Sequence, residues 1–257
     1  MKKLLFALLM ISVTILSCTK QSLNNDQTSI GLQGNQLSTY NTSQQASVIH
    51  WNDVNIGNIG SIHNEIMNSL NQSTIVTNGL DLYRNTLDAI VINDPIYEYH
   101  DYIFENSSII YDKIKDNTYW NYYTDIANSA YENLENNDQV VFGQLMSVLS
   151  NTYSDDQLIN LQTHLASIKA NYSGSNSLIS GALEIGLNSY LFWKRDDVVL
   201  DGPKGIVIQA DAAGYIIGWA KAWLWDDLPT SKDRINAGLG TAGAASGMWL
   251  LKKWGKF

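Results

Sequence analysis

Apolar residues recur along this chain at steps of three and four, the spacing that lays them on one face of an α-helix. Ile59, Ile62, Ile66 and Leu70 form the first such stripe, and Leu80, Tyr83, Leu87 and Val91 the second. Asp94-Pro95 then supplies an N-cap with proline at the first helical position. Ile96, Tyr99, Ile103 and Ile110 predict a third helix. Tyr119, Tyr122, Ile126, Ala130 and Leu134 predict a fourth, with Asn117 as its cap. Val141, Leu145, Val148 and Leu149 predict a fifth. Ser154-Asp155-Asp156-Gln157 has capping-box spacing and opens a sixth stripe of Leu158, Leu161, Leu165 and Ile168. After a turn at 171–176, Leu178, Ala182, Ile185 and Leu191 mark a seventh. No run alternates with period two, so the pattern predicts an all-α protein. Spacing and anchor residues differ from helix to helix, which argues for an irregular multi-helix bundle and against a fixed-period solenoid.

From Gly205 onward the pattern changes. Asn nearly vanishes, Gly and Ala take over, and five of the eight tryptophans lie here: Trp219, Trp223, Trp225, Trp249 and Trp254. One apolar segment runs from Ile206 to Trp225, interrupted by Gln209, Asp211 and Lys221. A second, uncharged inside, runs from Ile235 to Leu251. The turn Asp226-Asp227-Leu228-Pro229-Thr230 between them predicts a helical hairpin over 201–257, packed on or extending from a helical domain at 47–200. Its second arm carries Gly243 and Gly247 at the GxxxG spacing that lets two helix backbones approach closely, in membranes or in a packed core. These glycines and the tail tryptophans are the candidate membrane or packing contacts.

The other end of the chain reads as an address. Lys2-Lys3, an apolar run from Leu4 to Leu16, and Ser17-Cys18 have the layout of a signal peptide. The run is too short for a membrane span of about 20 residues. Ile15-Leu16-Ser17-Cys18 resembles a bacterial lipobox, in which the cysteine becomes the lipidated first residue. Residues 1–17 are thus expected to be removed and Cys18 to carry lipid. No other cysteine occurs, and lipidation would remove the anomaly of one free thiol in an oxidising compartment. Residues 18–46, rich in Ser, Thr, Asn and Gln without periodicity, read as a flexible tether.

Charge narrows the partners. The chain carries a net −9, which argues against nucleic acid. Residues 231–257 hold five basic groups and one acid, net +4, and Lys2 and Lys3 add +2 at the other end, so residues 19–230 carry −15. The tail is expected to dock on the acidic body or to seek an anionic membrane surface. Candidate chemistry is sparse. His50, His63, His100 and His164 form no metal-binding motif, and no nucleophile elbow, P-loop or dinucleotide fingerprint occurs. No catalytic residue, metal or cofactor is therefore assigned. One local polar cluster, Asp53 with His63, Asn64 and Glu65, has the residue types for acid–base work. However, His63 and Glu65 stand two apart on a helix and point differently. Adjacent acids at Asp155-Asp156, Asp196-Asp197 and Asp226-Asp227 read as caps and solvated loops. The tyrosine-rich stretch 97–131 with Trp120 is either core or the lining of a carbohydrate or peptide groove.

Three segments together resemble a group of exported proteins and lipoproteins of the Bacteroidetes that have no assigned activity. They are Ile59-Gly60-Ser61-Ile62-His63-Asn64-Glu65, Asn188-Ser189-Tyr190-Leu191-Phe192-Trp193, and Asp211-Ala212-Ala213-Gly214 leading into the Gly/Ala-rich tail. The resemblance implies an exported helical protein and carries over no catalytic residue. The expectation is a lipoprotein of the bacterial cell envelope, placed at the outer membrane, that binds or assembles with a protein or glycan partner rather than catalysing. The alternative is an exported bacteriocin- or toxin-like effector whose hairpin enters membranes.

Overall fold

An amphipathic helix is stable in water only when another surface covers its apolar stripe. Here the central covering surface is the C-terminal hairpin. The computed structural model describes residues 49–72, 79–90, 97–195, 204–226 and 228–253. The expected signal peptide, Cys18, the tether, Asp94-Pro95, Asp196-Asp197 and Trp254 lie outside them. Among the described residues there are nine α-helices and no β-sheet: α1 (Ile59–Gln72), α2 (Gly79–Ile90), α3 (Tyr97–Lys115), α4 (Tyr119–Asn133), α5 (Asn136–Ser150), α6 (Leu158–Asn171), α7 (Ser177–Trp193), α8 (Lys204–Leu224) and α9 (Ser231–Lys253). The all-α bundle expected from the periodicity is thus the fold, with the hairpin as its last two helices.

The helices α8 and α9 pack most extensively against each other. Helices α7 and α4 cover α8, whereas α3, α1 and α2 cover α9. The helix α7 also bridges α1 and α6, and α5 packs on α6. Both hairpin arms are consequently buried nearly all round. Every residue of α8 from Val207 to Ala220 is buried, as is every residue of α9 from Ile235 to Met248. Small side chains make this possible by letting large neighbours sit directly on the helix backbones. The Tyr83 hydroxyl donates to the Gly240 carbonyl, and Tyr119 donates to that of Ala210 at 2.8 Å. Each tyrosine thereby buries its ring while finding a partner for its O–H.

The stripes face inward largely as the spacing requires. Ile59, Ile62, Ile66 and Leu70 are buried, as are Leu158, Leu161, Leu165 and Ile168. Two anchors are corrected. In α4 the fully buried rings are Tyr119 and Tyr123, and Tyr122 is half-buried; in α7 Leu191 is 49% exposed while Ser189, Phe192 and Trp193 point inward. The cap expected at Asn117 is also different. Asn117 has φ 57° and terminates α3, where Thr118 N–H bonds the Lys113 carbonyl and Asn117 N–H that of Ile114. That is a Schellman ending with Asn in the left-handed position. Lys252 of α9 completes it by donating to the Ile114 carbonyl at 2.8 Å and to Asn117 Oδ1 at 2.6 Å. Asp155, expected as a cap, accepts from Lys204 N–H at 2.8 Å and so caps α8 rather than the helix that follows it in sequence.

The hairpin seam differs from the one the GxxxG motif suggested. A Cβ placed on Gly243 would meet Tyr83 and Ile66, and one on Gly247 would meet Leu70 and Tyr83. These glycines therefore face α1 and α2. The close approach of α8 to α9 is made by Gly214 and Gly218 against Ala237, Thr241, Ala242 and Ala245. A Cβ on Gly218 would lie 2.4 Å from the Ala237 carbonyl oxygen, which is backbone and cannot yield. On Gly247 it would lie 3.2 Å from a Leu70 methyl, which can. Gly218→Ala should therefore cost about 1–3 kcal/mol of folding stability through overpacking. Gly247→Ala should be near neutral, offset by a helix-propensity gain of up to about 1 kcal/mol. Urea unfolding of both variants checks this, and equal midpoints would contradict the assignment of the seam.

Candidate functional site

The helix α1 places His63 one turn from both Ile59 and Ile66, so the imidazole is carried inward with the apolar stripe. Ser189 and Trp193, four apart on α7, share a face in the same way. Asp211 enters from α8 and Ser246 from α9. All five side chains meet in the core, and each residue is 0% exposed. Asp211 sits at the centre. Its Oδ2 accepts hydrogen bonds from the Ser189 hydroxyl and, at 3.3 Å, from Trp193 Nε1. Its Oδ1 accepts from the Ser246 hydroxyl. His63 Nε2 stands 3.6 Å from Asp211 Oδ2 and makes no hydrogen bond. Its Nδ1 lies 3.4 Å from Asn64 Oδ1, and Asn64 Nδ2 donates to the Asn188 carbonyl at 2.9 Å. The three segments that carry the resemblance noted in the sequence thus meet at one point.

Burial governs the protonation of this cluster. It pushes the Asp211 carboxyl up to about 7, against the opposing pull of the Ser189, Ser246 and Trp193 donors. It pushes His63 down to about 4, with Asn64 pulling the other way. Near neutral pH the imidazole is therefore uncharged and the carboxyl is poised between its two forms. The Tyr119 hydroxyl is pushed well up, first by burial and then by the charge of Asp211.

The residue types are those of a nucleophilic triad, but the geometry is not. In a triad the imidazole stands between hydroxyl and carboxylate and takes the hydroxyl proton. Here the carboxylate stands between the hydroxyls and the imidazole. Both serine protons are directed at Asp211, and the cluster is closed to solvent. It can hold a proton and fix three helices, but it cannot turn over a substrate in this conformation.

The polar cluster read from the sequence is divided by the fold. His63 and Asn64 are inside, Glu65 is half-buried, and Asp53 is exposed in the 3-10 turn Trp51–Asp53 before α1. The acid that faces His63 is Asp211, which the sequence showed as an interruption of the hairpin and within one segment of the resemblance, without a role. A carboxyl inside an otherwise apolar helix was the physical signal for it. Ser189, in another of those segments, and Ser246 carried no physical signal beyond being polar on apolar faces. Among the described residues no three His, Cys, Asp or Glu side chains converge as a metal site. Of the tail tryptophans, Trp219 is buried and donates to Ser177 Oγ at 3.1 Å, Trp223 and Trp249 are half-buried, and Trp225 is 53% exposed. Comparison with family models, curated proteins and solved structures finds no match to this chain.

The opposed shifts of Asp211 and His63 give two predictions of opposite sign. A carboxyl raised from 3.8 to about 7 holds its proton in the folded state where the unfolded chain has lost it. Its contribution to stability is therefore greatest at acid pH and is lost as pH rises toward about 7. A histidine lowered from 6.5 to about 4 is deprotonated in the folded state where the unfolded chain is charged. Its contribution consequently rises with pH between about 4 and about 6.5. In the wild type the two slopes largely cancel. Relative to wild type, Asp211→Asn should gain stability as pH rises from about 4 to about 7, by close to one proton in the linkage slope. His63→Asn should lose stability over about pH 4 to 6.5. Chemical unfolding of the three proteins across that range measures both slopes.

Proposed function

We propose that this chain is a lipoprotein of the bacterial cell envelope, held through Cys18, whose helical body binds or assembles with a partner rather than catalysing a reaction. The observation that carries this reading is the burial of the C-terminal hairpin at the centre of the fold. The segment whose composition suggested a second membrane attachment is in contact with the seven other described helices. This leaves the N-terminal lipobox-like sequence as the feature that addresses a membrane. The absence of a catalytic arrangement at the Asp211 cluster supports binding over turnover.

The membrane-active alternative has less support. No described helix is long and apolar enough to cross a membrane. The apolar arms also bury Gln209, Asp211, Asn236, Thr241 and Ser246, and an acid at a bilayer centre costs about 3 kcal/mol. The basic end of the tail is partly engaged with protein. Lys252 is bonded to the end of α3, and Lys232 donates to the carbonyls of Asn52, at 2.6 Å, and Val54.

Two measurements test the reading. Cells expressing the wild type with labelled palmitate should incorporate label and retain the protein in the membrane fraction. Cys18→Ala should abolish the label and release the protein. Equal membrane association of the two, with no label in either, would refute the anchor. The purified wild type should also leave dye inside anionic vesicles at low salt, where surface attraction is least screened. Leakage that falls as salt is raised would favour the membrane-active alternative.

A further inference from the structure

One cleft among the described residues has an uncharged lining. It has a volume of 380 Å³ and lies between α4, the C-terminal turn of α5 with residues 151–153, and the start of α8. Trp120, Tyr123 and Tyr153 give it aromatic walls, and Asn121, Asn151 and Gln209 give it amides. No Asp, Glu, Lys, Arg or His lines it. Two other clefts among the described residues are charged. One is bordered by Asp155, Asp156, Lys194 and Lys204. The second is bordered by Glu135 and Asp138, and the Asp138 carboxylate is already taken up by Tyr172 and Asn176.

Hydrogen-bonding capacity in the neutral cleft is left over. The last carbonyls of α5 have no partners within their helix. Gln209 Nε2 donates to those of Val148 and Leu149, at 3.4 and 2.9 Å, and to Asn151. Three acceptors fix the orientation of that amide. Its Oε1 receives no hydrogen bond from the described residues. Tyr123 gives the wall its ring, and its hydroxyl is buried. Trp120 is held edge-on by Tyr119 and Tyr123, with ring centroids 5.1 and 5.9 Å away. This support fixes the orientation of the indole before any ligand arrives. Tyr153 spends its hydroxyl on His164 Nδ1 at 3.3 Å, so it offers the cleft chiefly its ring.

We propose that this cleft binds a neutral saccharide, a single ring or a disaccharide. The proposal rests on the binding reading above and names its ligand class. A sugar ring presents C–H faces that pack on aromatic rings and an edge of hydroxyls that pair with the amides of Asn121, Asn151 and Gln209. The volume is near the lower end of the 300–1,000 Å³ typical of small-ligand sites. The lack of charged lining, on a body of strongly negative net charge, selects against anionic ligands.

The test is saturation-transfer NMR on the full chain in a polyoxyethylene detergent, which has no sugar headgroup. The probes are maltose, N,N′-diacetylchitobiose, glucuronic acid and trialanine. Transfer is expected to at least one neutral disaccharide at about 1 mM, and not to glucuronic acid or trialanine. Trp120→Ala should weaken it about tenfold or more. Asn151→Ala should weaken it about three- to tenfold with an unfolding midpoint close to that of the wild type, because that residue is exposed. If Trp120→Ala does not fold, Asn151→Ala and Asn121→Ala, both at exposed positions, decide. No transfer to either disaccharide, transfer that survives these substitutions, or preferred binding of trialanine or glucuronic acid would each overturn the proposal. Loss of sugar binding in a protein that stays palmitate-labelled removes the cleft and leaves the anchor. Sugar binding by a protein that is never labelled does the reverse.

Discussion

The structure depends on the direct approach of two helix backbones, α8 and α9, at a seam of glycine and alanine. Helices pack at 8–10 Å when ordinary side chains separate them, and more closely only where side chains are nearly absent. Gly214 and Gly218 provide that absence on α8, opposite Ala237, Thr241, Ala242 and Ala245 on α9. A pair of such thin helices contributes little side-chain volume of its own. The core must be filled from outside, and Tyr83, Tyr119 and Trp193 enter it from three different helices. Phenol oxygens that reach this deep remain satisfied because the thin helices expose their carbonyls to them.

The same geometry explains why an aspartate is tolerated at the centre. A carboxyl removed from water is costly unless its oxygens are bonded. Asp211 receives hydroxyl donors from α7 and α9 and an indole donor from α7, each on a residue small or rigid enough to approach. The hydrogen bonds of the cluster join α7, α8 and α9, so a shift of any one of these leaves a buried polar group unpaired. Its contribution is to the uniqueness of the arrangement rather than to catalysis, since the imidazole stands on the wrong side of the acid to take a serine proton.

The helix α8 links this interior to the surface. Gln209, two residues before Asp211, turns to the other side of the helix and holds the carbonyls at the end of α5. The floor of the neutral cleft is therefore set by a helix buried nearly all round, while its Trp120 and Tyr123 wall comes from α4. Such an arrangement suits a binding site, in which preorganisation limits the entropy lost on association.

Periodicity alone determined the helical class, the approximate position of the described helices and most of the inward-facing anchors, because a stripe of step three and four has only one regular structure that buries it. The composition break near Gly205 likewise marked the hairpin. Leu191 and Tyr122 were misplaced because a stripe identifies a face to within about one residue, and neighbours on adjacent helices decide which side chain enters. The roles of Gly243 and Gly247 were not legible: a small residue permits close contact but does not say with which helix, and the fold turned these two toward α1 and α2. Nor was the partnership of His63 with Asp211, Ser189 and Ser246, or the cleft that joins Trp120 and Tyr123 to Gln209. Those groups are distant in the chain, and only the burial of the hairpin among the other helices, driven by the removal of its apolar surface from water, brought them together.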